Sequence, residues 1–373
     1  LLTVGSACVW SLATFITATS TEYEQVLAAR VLMGLACAFT TTSGYTLIRD
    51  LVPTNRASLA NSIYGSGVYL GGGLSSLSIL LDNRIGWRGT MDFIAAFGIF
   101  AAVLSAISIK GDPKMLEESK SKADDVVIDI TKDATSASSI DTLKDEKSAF
   151  SDVSDILSIP RVQWLFAGSF LRFCSGLCIG VWAAPYYKLA FPDDAASYAV
   201  INAIIVGLCG VTSGLIGGYA ADKTAAVAEQ TGWESNAGRL IVPIVGSLLA
   251  VPTWWLTAHA STFDSAIFWL AIEYLVAECW FGPTVAVLQS EVGARQGGAA
   301  QGLFTLTGAI GNLAPSLLGI IYGQQIIGDV SNSSILSNLL ANGVCAGYFL
   351  SAVCFAVSAS KDSSDKKVLV KEA

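Results

Sequence analysis

Long runs of apolar residues, separated by short polar breaks, occupy most of this chain. Ten runs can be read: Leu1–Thr19, Val26–Ile48, Ser58–Leu81, Thr90–Ile109, Val162–Tyr186, Tyr198–Ala221, Leu240–Ala260, Ala266–Leu288, Ala299–Tyr322 and Leu339–Ala359. A helix of roughly 20 apolar residues is what crossing a hydrocarbon core of about 30 Å requires. The pattern therefore predicts an all-α polytopic membrane protein. Several runs are rich in glycine, with Gly65, Gly67, Gly71, Gly72 and Gly73 in one of them. Such residues suit close helix approach in lipid.

One polar stretch interrupts the pattern. Residues 110–160 are acidic and Ser-rich, and they separate four runs from six. The expected organisation is a half-bundle over 1–109, a solvated and partly disordered linker over 110–160, a second half-bundle over 161–360 and a tail over 361–373.

Charge then orients the spans. If the linker, the tail and the alternate short loops share one side, that side holds 17 of the 22 Lys and Arg residues. Only Arg84, Arg88 and Lys188 fall opposite, and Arg30 and Arg172 lie inside runs. Basic loops stay cytoplasmic, so the linker and C-terminus are expected in the cytoplasm. Asn332-Ser333-Ser334, a glycosylation acceptor pattern, falls in a loop this topology places outside.

Composition agrees: 53% of residues are apolar, 14% are charged and mean hydropathy is +0.57. Nineteen of the 52 charged side chains lie within 110–155, so the net charge of −8 describes loops. No basic patch with interleaved aromatics points to nucleic acid. All eight cysteines fall in apolar runs, where they behave as small hydrophobes. Cys174 and Cys178 are one turn apart without further metal ligands, and no metal or cofactor is expected. The single histidine, His259, has no catalytic partner. The chain opens on Leu-Leu inside an apolar run, without Met or a basic leader, which suggests a truncated N-terminus.

The two sides of the linker echo each other at an offset of about 240 residues. Arg56-Ala-Ser-Leu-Ala-Asn-Ser-Ile-Tyr-Gly opens one Gly-rich span, and Arg295-Gln-Gly-Gly-Ala-Ala-Gln-Gly-Leu-Phe opens another. Internal symmetry of this kind marks transporters built from repeated halves. Four spans before the linker against six after it leave the first half two short.

Four segments carry a resemblance: Arg30-Val-Leu-Met-Gly-Leu-Ala; Leu47-Ile-Arg-Asp-Leu-Val-Pro-Thr-Asn-Arg56; Tyr64-Gly-Ser-Gly-Val-Tyr-Leu-Gly-Gly-Gly73; and Gly86-Trp-Arg88. In this order they resemble the fourth to sixth helices of the major facilitator superfamily, and Gly217-Gly218-Tyr-Ala-Ala-Asp222-Lys223 is similar to a second copy of its helix–loop motif. The resemblance implies a bundle of two pseudo-symmetric halves with ten of twelve helices present. Within the superfamily, Ala277-Glu278 followed by Gly-Pro-Thr resembles the tenth helix of spinster-like members. A secondary transporter follows: alternating access, a small organic solute (an anionic metabolite or a lysolipid-like amphiphile), with or without a coupled proton, and a monomer. The alternative is a non-transporting receptor or scaffold, or an inactive truncated carrier. Neither a phosphate loop for a transport ATPase nor the nucleophile and base of an enzyme is present in the sequence.

Ionisable residues inside spans usually face the bundle interior or a water-filled cavity. Arg172 and Glu278, both near mid-span, are expected to approach each other across the cavity. Glu278 is the candidate carrier of a coupled proton; the alternative is a purely structural ion pair. Glu273 precedes Glu278 by five residues, which turns the two about 140° apart on a helix, so at most one faces the solute path and Glu273 can lie nearer the outer interface. The resemblance implies a solute or coupling role for Arg30, against which stands snorkelling to the interface. Trp280 is the aromatic candidate for the cavity wall, whereas Tyr186 and Tyr187 read as interface anchors. Asp50, Arg56, Asp222 and Arg295, at cytoplasmic helix ends, are expected to form carboxylate–guanidinium latches that break as the carrier rocks.

Overall fold

A computed structural model describes residues 2–108, 151–292, 296–325 and 333–361. The expectations for Leu1, most of the linker, Arg295, Asn332 and nearly all of the tail lie outside the described residues.

Among the described residues every regular element is helical. Helix α1 spans Leu2–Thr19, α2 Tyr23–Leu51 and α3 Ala57–Ser108. A short helical stretch at 151–158 precedes α4, Pro160–Ala190. Helix α5 comprises Ala195–Ile204, a π turn at Ile205–Cys209 and Gly210–Gln230. Helix α6 is Ser235–Ala258. Helix α7 joins Phe263–Ala277, a 3₁₀ turn at Glu278–Trp280 and Phe281–Glu291. Helix α8 consists of Gly297–Gly311 and Leu313–Gln325, and α9 is Ser333–Ser360. Among the described residues eight helices are long and apolar enough to cross a membrane, and Val4–Thr19 is a shorter apolar helix.

Two of the expected runs prove to be one interrupted element. The polar break near Asp82 predicts a loop, but α3 continues through it and is broken at Gly86, where φ is 73° and ψ 165°. Only glycine adopts that backbone without strain. Conversely, the run expected as one helix over 266–288 is broken into a 3₁₀ turn at Glu278. Pro283, which has no N–H to offer the carbonyl of Cys279, weakens the α-helix at that point.

The chain divides into two compact units. The first, Leu1–Thr41 with Ile85–Asp155, holds α1, most of α2 and the second limb of α3. Its interior is made of small residues (Ala13, Ala29, Ala36, Ala95 and Ala102), while Leu12, Phe15, Phe97 and Phe100 point outward. This is the arrangement of helices that meet closely in lipid. Several of its hydroxyls bond backward along their own helix, as Ser11 and Thr14 do to the carbonyls of Ala7 and Trp10 at 2.9 Å, which satisfies those donors without water. Thr40 Oγ1 donates to Ser6 Oγ at 2.7 Å and Arg88 Nη2 to the Ser20 carbonyl at 3.0 Å, joining the helices.

The second unit, Thr42–Arg84 with Ile156–Ala373, holds the end of α2, the first limb of α3 and α4–α9. Two apolar clusters build it: one around Tyr187, Trp254, Leu340 and Tyr348, the other around Leu165, Trp280, Phe304 and Phe355. Glycines let the helices touch. A Cβ on Gly282 would lie 2.8 Å from the carbonyl oxygen of Ser58, so α7 and α3 meet backbone to backbone there.

Candidate functional site

Arg172 lies near the middle of α4, buried inside the second unit. Its Nη2 donates to the Ala277 carbonyl at 2.9 Å, where the α-helix of α7 gives way to the 3₁₀ turn. The same nitrogen is 3.7 Å from Glu278 Oε1. Opening the turn thus presents both a carbonyl and a carboxylate to one guanidinium. Tyr69, on the Gly-rich limb of α3, donates its hydroxyl to Glu278 Oε2 at 2.6 Å. The Tyr69 ring reaches that position because Gly210 has no side chain: a Cβ there would lie 2.7 Å from Tyr69 Cδ1.

Aromatic faces hold the guanidinium from two other directions. Its Cζ is 4.4 Å from the ring centroid of Tyr348 on α9 and 5.4 Å from that of Trp280. Cations are attracted to such faces, more so when desolvated. Tyr348 in turn donates its hydroxyl to Glu273 Oε1. A cavity of 370 Å³ opens against this cluster, lined by Tyr69, Arg172, Phe173, Tyr274, Glu278 and Trp280 among others.

The structure thus brings Arg172, Glu278 and Trp280 to one cavity. Glu273 lies behind them, buried against Tyr348 rather than at an interface. Arg30, in the first unit, is exposed, with Nη1 3.9 Å from Met33 Sδ. Tyr186 and Tyr187 are not interface anchors. Both are buried; Tyr187 stacks on Tyr198 with centroids 4.2 Å apart and Tyr186 donates to the Ala258 carbonyl at 2.9 Å.

A second charged arrangement sits at the N-terminal end of α3. The first N–H groups of a helix lack partners within it, and Asp222, reaching from α5, accepts two of them: Ser58 N at 3.1 Å and Leu59 N at 3.0 Å. A carboxylate is favoured there by the helix dipole as well. Its guanidinium partner is Arg239, with Nε 3.5 Å from Asp222 Oδ1 and Nη2 donating to the Thr54 carbonyl. Arg56 is exposed and makes no ion pair among the described residues, and Asp50 meets only its neighbour Arg49, at 3.2 Å. Arg239, which is not among the expected latch residues, meets Asp222 from α6, whereas Arg56 is exposed.

Three features escaped the sequence reading. Tyr69 was an unremarkable aromatic in a glycine run. Arg239 counted only as a topological charge. So did Arg161, which is buried among Glu234, Glu291 (2.7 Å), the Ser358 carbonyl (3.3 Å) and the Lys361 carbonyl. A basic residue directly after a proline at a helix start was its only signal.

With this geometry established, comparison decides the family: the sequence model of the Major Facilitator Superfamily matches residues 1–316. The chain belongs to that superfamily. Solved structures of similar fold include a bacterial homologue of the human lysosomal transporter Spinster, inward-facing and unoccupied, at 14% identity and TM-score 0.53, with 99% of this chain and 83% of that one covered. The E. coli fucose:proton symporter is similar at 11% identity and TM-score 0.58, covering 96% and 83%. A search of curated proteins gives no match. This major facilitator protein is therefore an integral, multi-pass membrane protein whose family is one of transporters rather than enzymes.

Proposed function

We propose that this major facilitator protein is a secondary carrier for a small organic solute, an anionic metabolite or a lysolipid-like amphiphile, that works by alternating access between half-bundles at 1–109 and 161–360. The observation that carries the reading is the cavity of 370 Å³ with a buried Arg172, a partly open Glu278 and aromatic walls at mid-span. A guanidinium orients an anionic head, and aromatic faces take the apolar body. Among the described residues Glu278 is the only carboxylate lining that cavity, and in this reading it exchanges the coupled proton. Trp280 forms part of the wall. The chain acts as a monomer with linker and C-terminus in the cytoplasm. The Asp222–Arg239 contact on the start of α3 then lies at the cytoplasmic end, where it closes the inner gate.

The test is uptake into proteoliposomes under an imposed proton gradient, using radiolabelled monocarboxylates, sugar acids and lysophospholipids as probes. Saturable, gradient-dependent uptake of one class is expected. Glu278→Gln should abolish it while the protein still elutes as a folded monomer; undiminished gradient-driven uptake in that variant would remove Glu278 from coupling. Saturable binding without uptake would favour a receptor.

A further inference from the structure

Arg172 faces two carboxyl groups, not one. Glu278 opens to the cavity, its side chain 15% exposed, while Glu273 is sealed behind Tyr348 at 1%. The nitrogen that Arg172 directs toward Glu278 also serves the Ala277 carbonyl. Its other two, Nε and Nη1, are buried without a hydrogen-bond partner, and so is Glu273 Oε2. Each of these atoms is sealed from solvent in the arrangement described. Only a rearrangement within the bundle can bring the leftover donors and the leftover acceptor together.

The charge count gives the sparse wiring a meaning. The ionisable groups facing Glu273 are Arg172 and Tyr187 from α4, Tyr348 and Cys345 from α9, and Tyr274 and Glu278 from α7 itself. A single cation stands among them. With both carboxyls ionised, the cluster would hold an unpaired negative charge in a low-dielectric interior, which is strongly disfavoured. Glu278 has the ion pair and the opening to the cavity. Glu273 has one phenolic donor and neither of these.

We infer that Glu273 is an inner proton-binding site and the alternative counterion of Arg172: it is protonated while Arg172 engages Glu278, and it takes the guanidinium when Glu278 is neutralised. In the arrangement described, Arg172 and Glu278 sum to zero and the neutral Glu273 adds nothing. Once Glu278 takes a proton, Arg172 loses that partner. When that proton comes from Glu273, the cluster stays neutral, and Nε or Nη1 can pair with Oε2. One proton is held throughout, on one carboxyl or the other. The inference rests on the proposed role of the cavity only for its place in a transport cycle; the protonation itself needs no solute.

Infrared difference spectroscopy on purified protein in nanodiscs tests it, at neutral pH where exposed Asp and Glu are ionised. A carbonyl stretch of a buried protonated carboxyl is expected in the wild-type protein. Glu273→Gln should delete it, and Glu278→Gln, which neutralises the other carboxyl, should delete it as well, because Glu273 then ionises to pair with Arg172; survival of the band in Glu278→Gln would overturn the counterion exchange. If Glu273→Gln does not fold, Tyr348→Phe serves instead: losing the phenolic donor should move the band to higher frequency, whereas Tyr69→Phe, which relieves Glu278 of its donor, should leave it in place. Absence of the band from the wild type, its survival in Glu273→Gln, or a shift with Tyr69→Phe but not Tyr348→Phe would each overturn the inference. Because no transport is measured, these outcomes stand whether or not the carrier reading survives its own uptake test.

Discussion

Two places in the second unit contain the same ingredients, one arginine and two glutamates, and wire them differently. At mid-span Arg172 touches Glu278 at 3.7 Å and leaves Glu273 to a tyrosine. At the start of α4, Arg161 reaches both Glu234 and Glu291 directly, and its remaining N–H groups find the carbonyls of Ser358 and Lys361. Asn236 adds a donor to Glu291 at 2.7 Å. The difference is access to water. Glu234 is 31% exposed, so solvent takes up the excess negative charge there. Glu273 has no such outlet. A saturated cluster fixes helices, whereas one with spare donors and a spare acceptor can exist in two arrangements, which is what a moving part needs.

The comparison can be broken most directly at its cations. Arg172→Leu strands carboxyls inside the bundle and should cost on the order of 3–5 kcal/mol, read as a large fall in the unfolding temperature of the detergent-solubilised protein. Arg161→Leu should produce a smaller fall, since Glu234 can hydrate; equal falls would erase the distinction. Next comes packing beside the site. Gly282→Val pushes a side chain against the Ser58 backbone and should lower stability by about 1–3 kcal/mol. Gly298→Ala, with nothing within 4 Å of the added carbon, should be nearly silent in the same melt.

Asp222→Asn sharpens the contrast between structure and movement. It keeps an acceptor for the α3 N–H groups but loses the charge that faces Arg239 and the helix dipole, at about 1 kcal/mol. Uptake assays should show changed turnover with solute affinity intact; a pure affinity change would remove Asp222 from the gate. Among the charged positions the smallest effect is expected at Glu234→Gln, where a partly hydrated carboxylate contributes less than about 1 kcal/mol. Its melt should stay within a degree or two of wild type, and a collapse would mean that Glu234 is not relieved by water.

Architecture was largely legible before any coordinates, because a hydrocarbon solvent forces long apolar segments and places charge outside them. Wherever they are described, the ten apolar runs fall in helical segments, and the pairing of Arg172 with Glu278 followed from the rarity of charge inside such runs. Where the reading went astray, it treated a residue's neighbours in sequence as its environment. Tyr186 and Tyr187 near a helix end looked like interface anchors, yet α5, α6 and α9 cover them. Asp222 stands out by its motif, but Arg239, which meets it, carries no such mark and is not among the expected latch residues.

The sequence by itself determined that this chain spans a membrane, which segments do so, and which few charges are costly enough to require a reason. Only the tertiary structure decided how those charges divide their labour. Spacing along α7 separates Glu273 from Glu278 by an angle, but it does not say which one meets the cavity. That depends on Tyr69 from α3 and Tyr348 from α9, residues about 209 and 75 positions away from their carboxylate partners. Hydrophobicity is a property each residue carries, and it can be read one position at a time. The partner of a buried charge is set by which helices pack together, and that exists only once the bundle has formed.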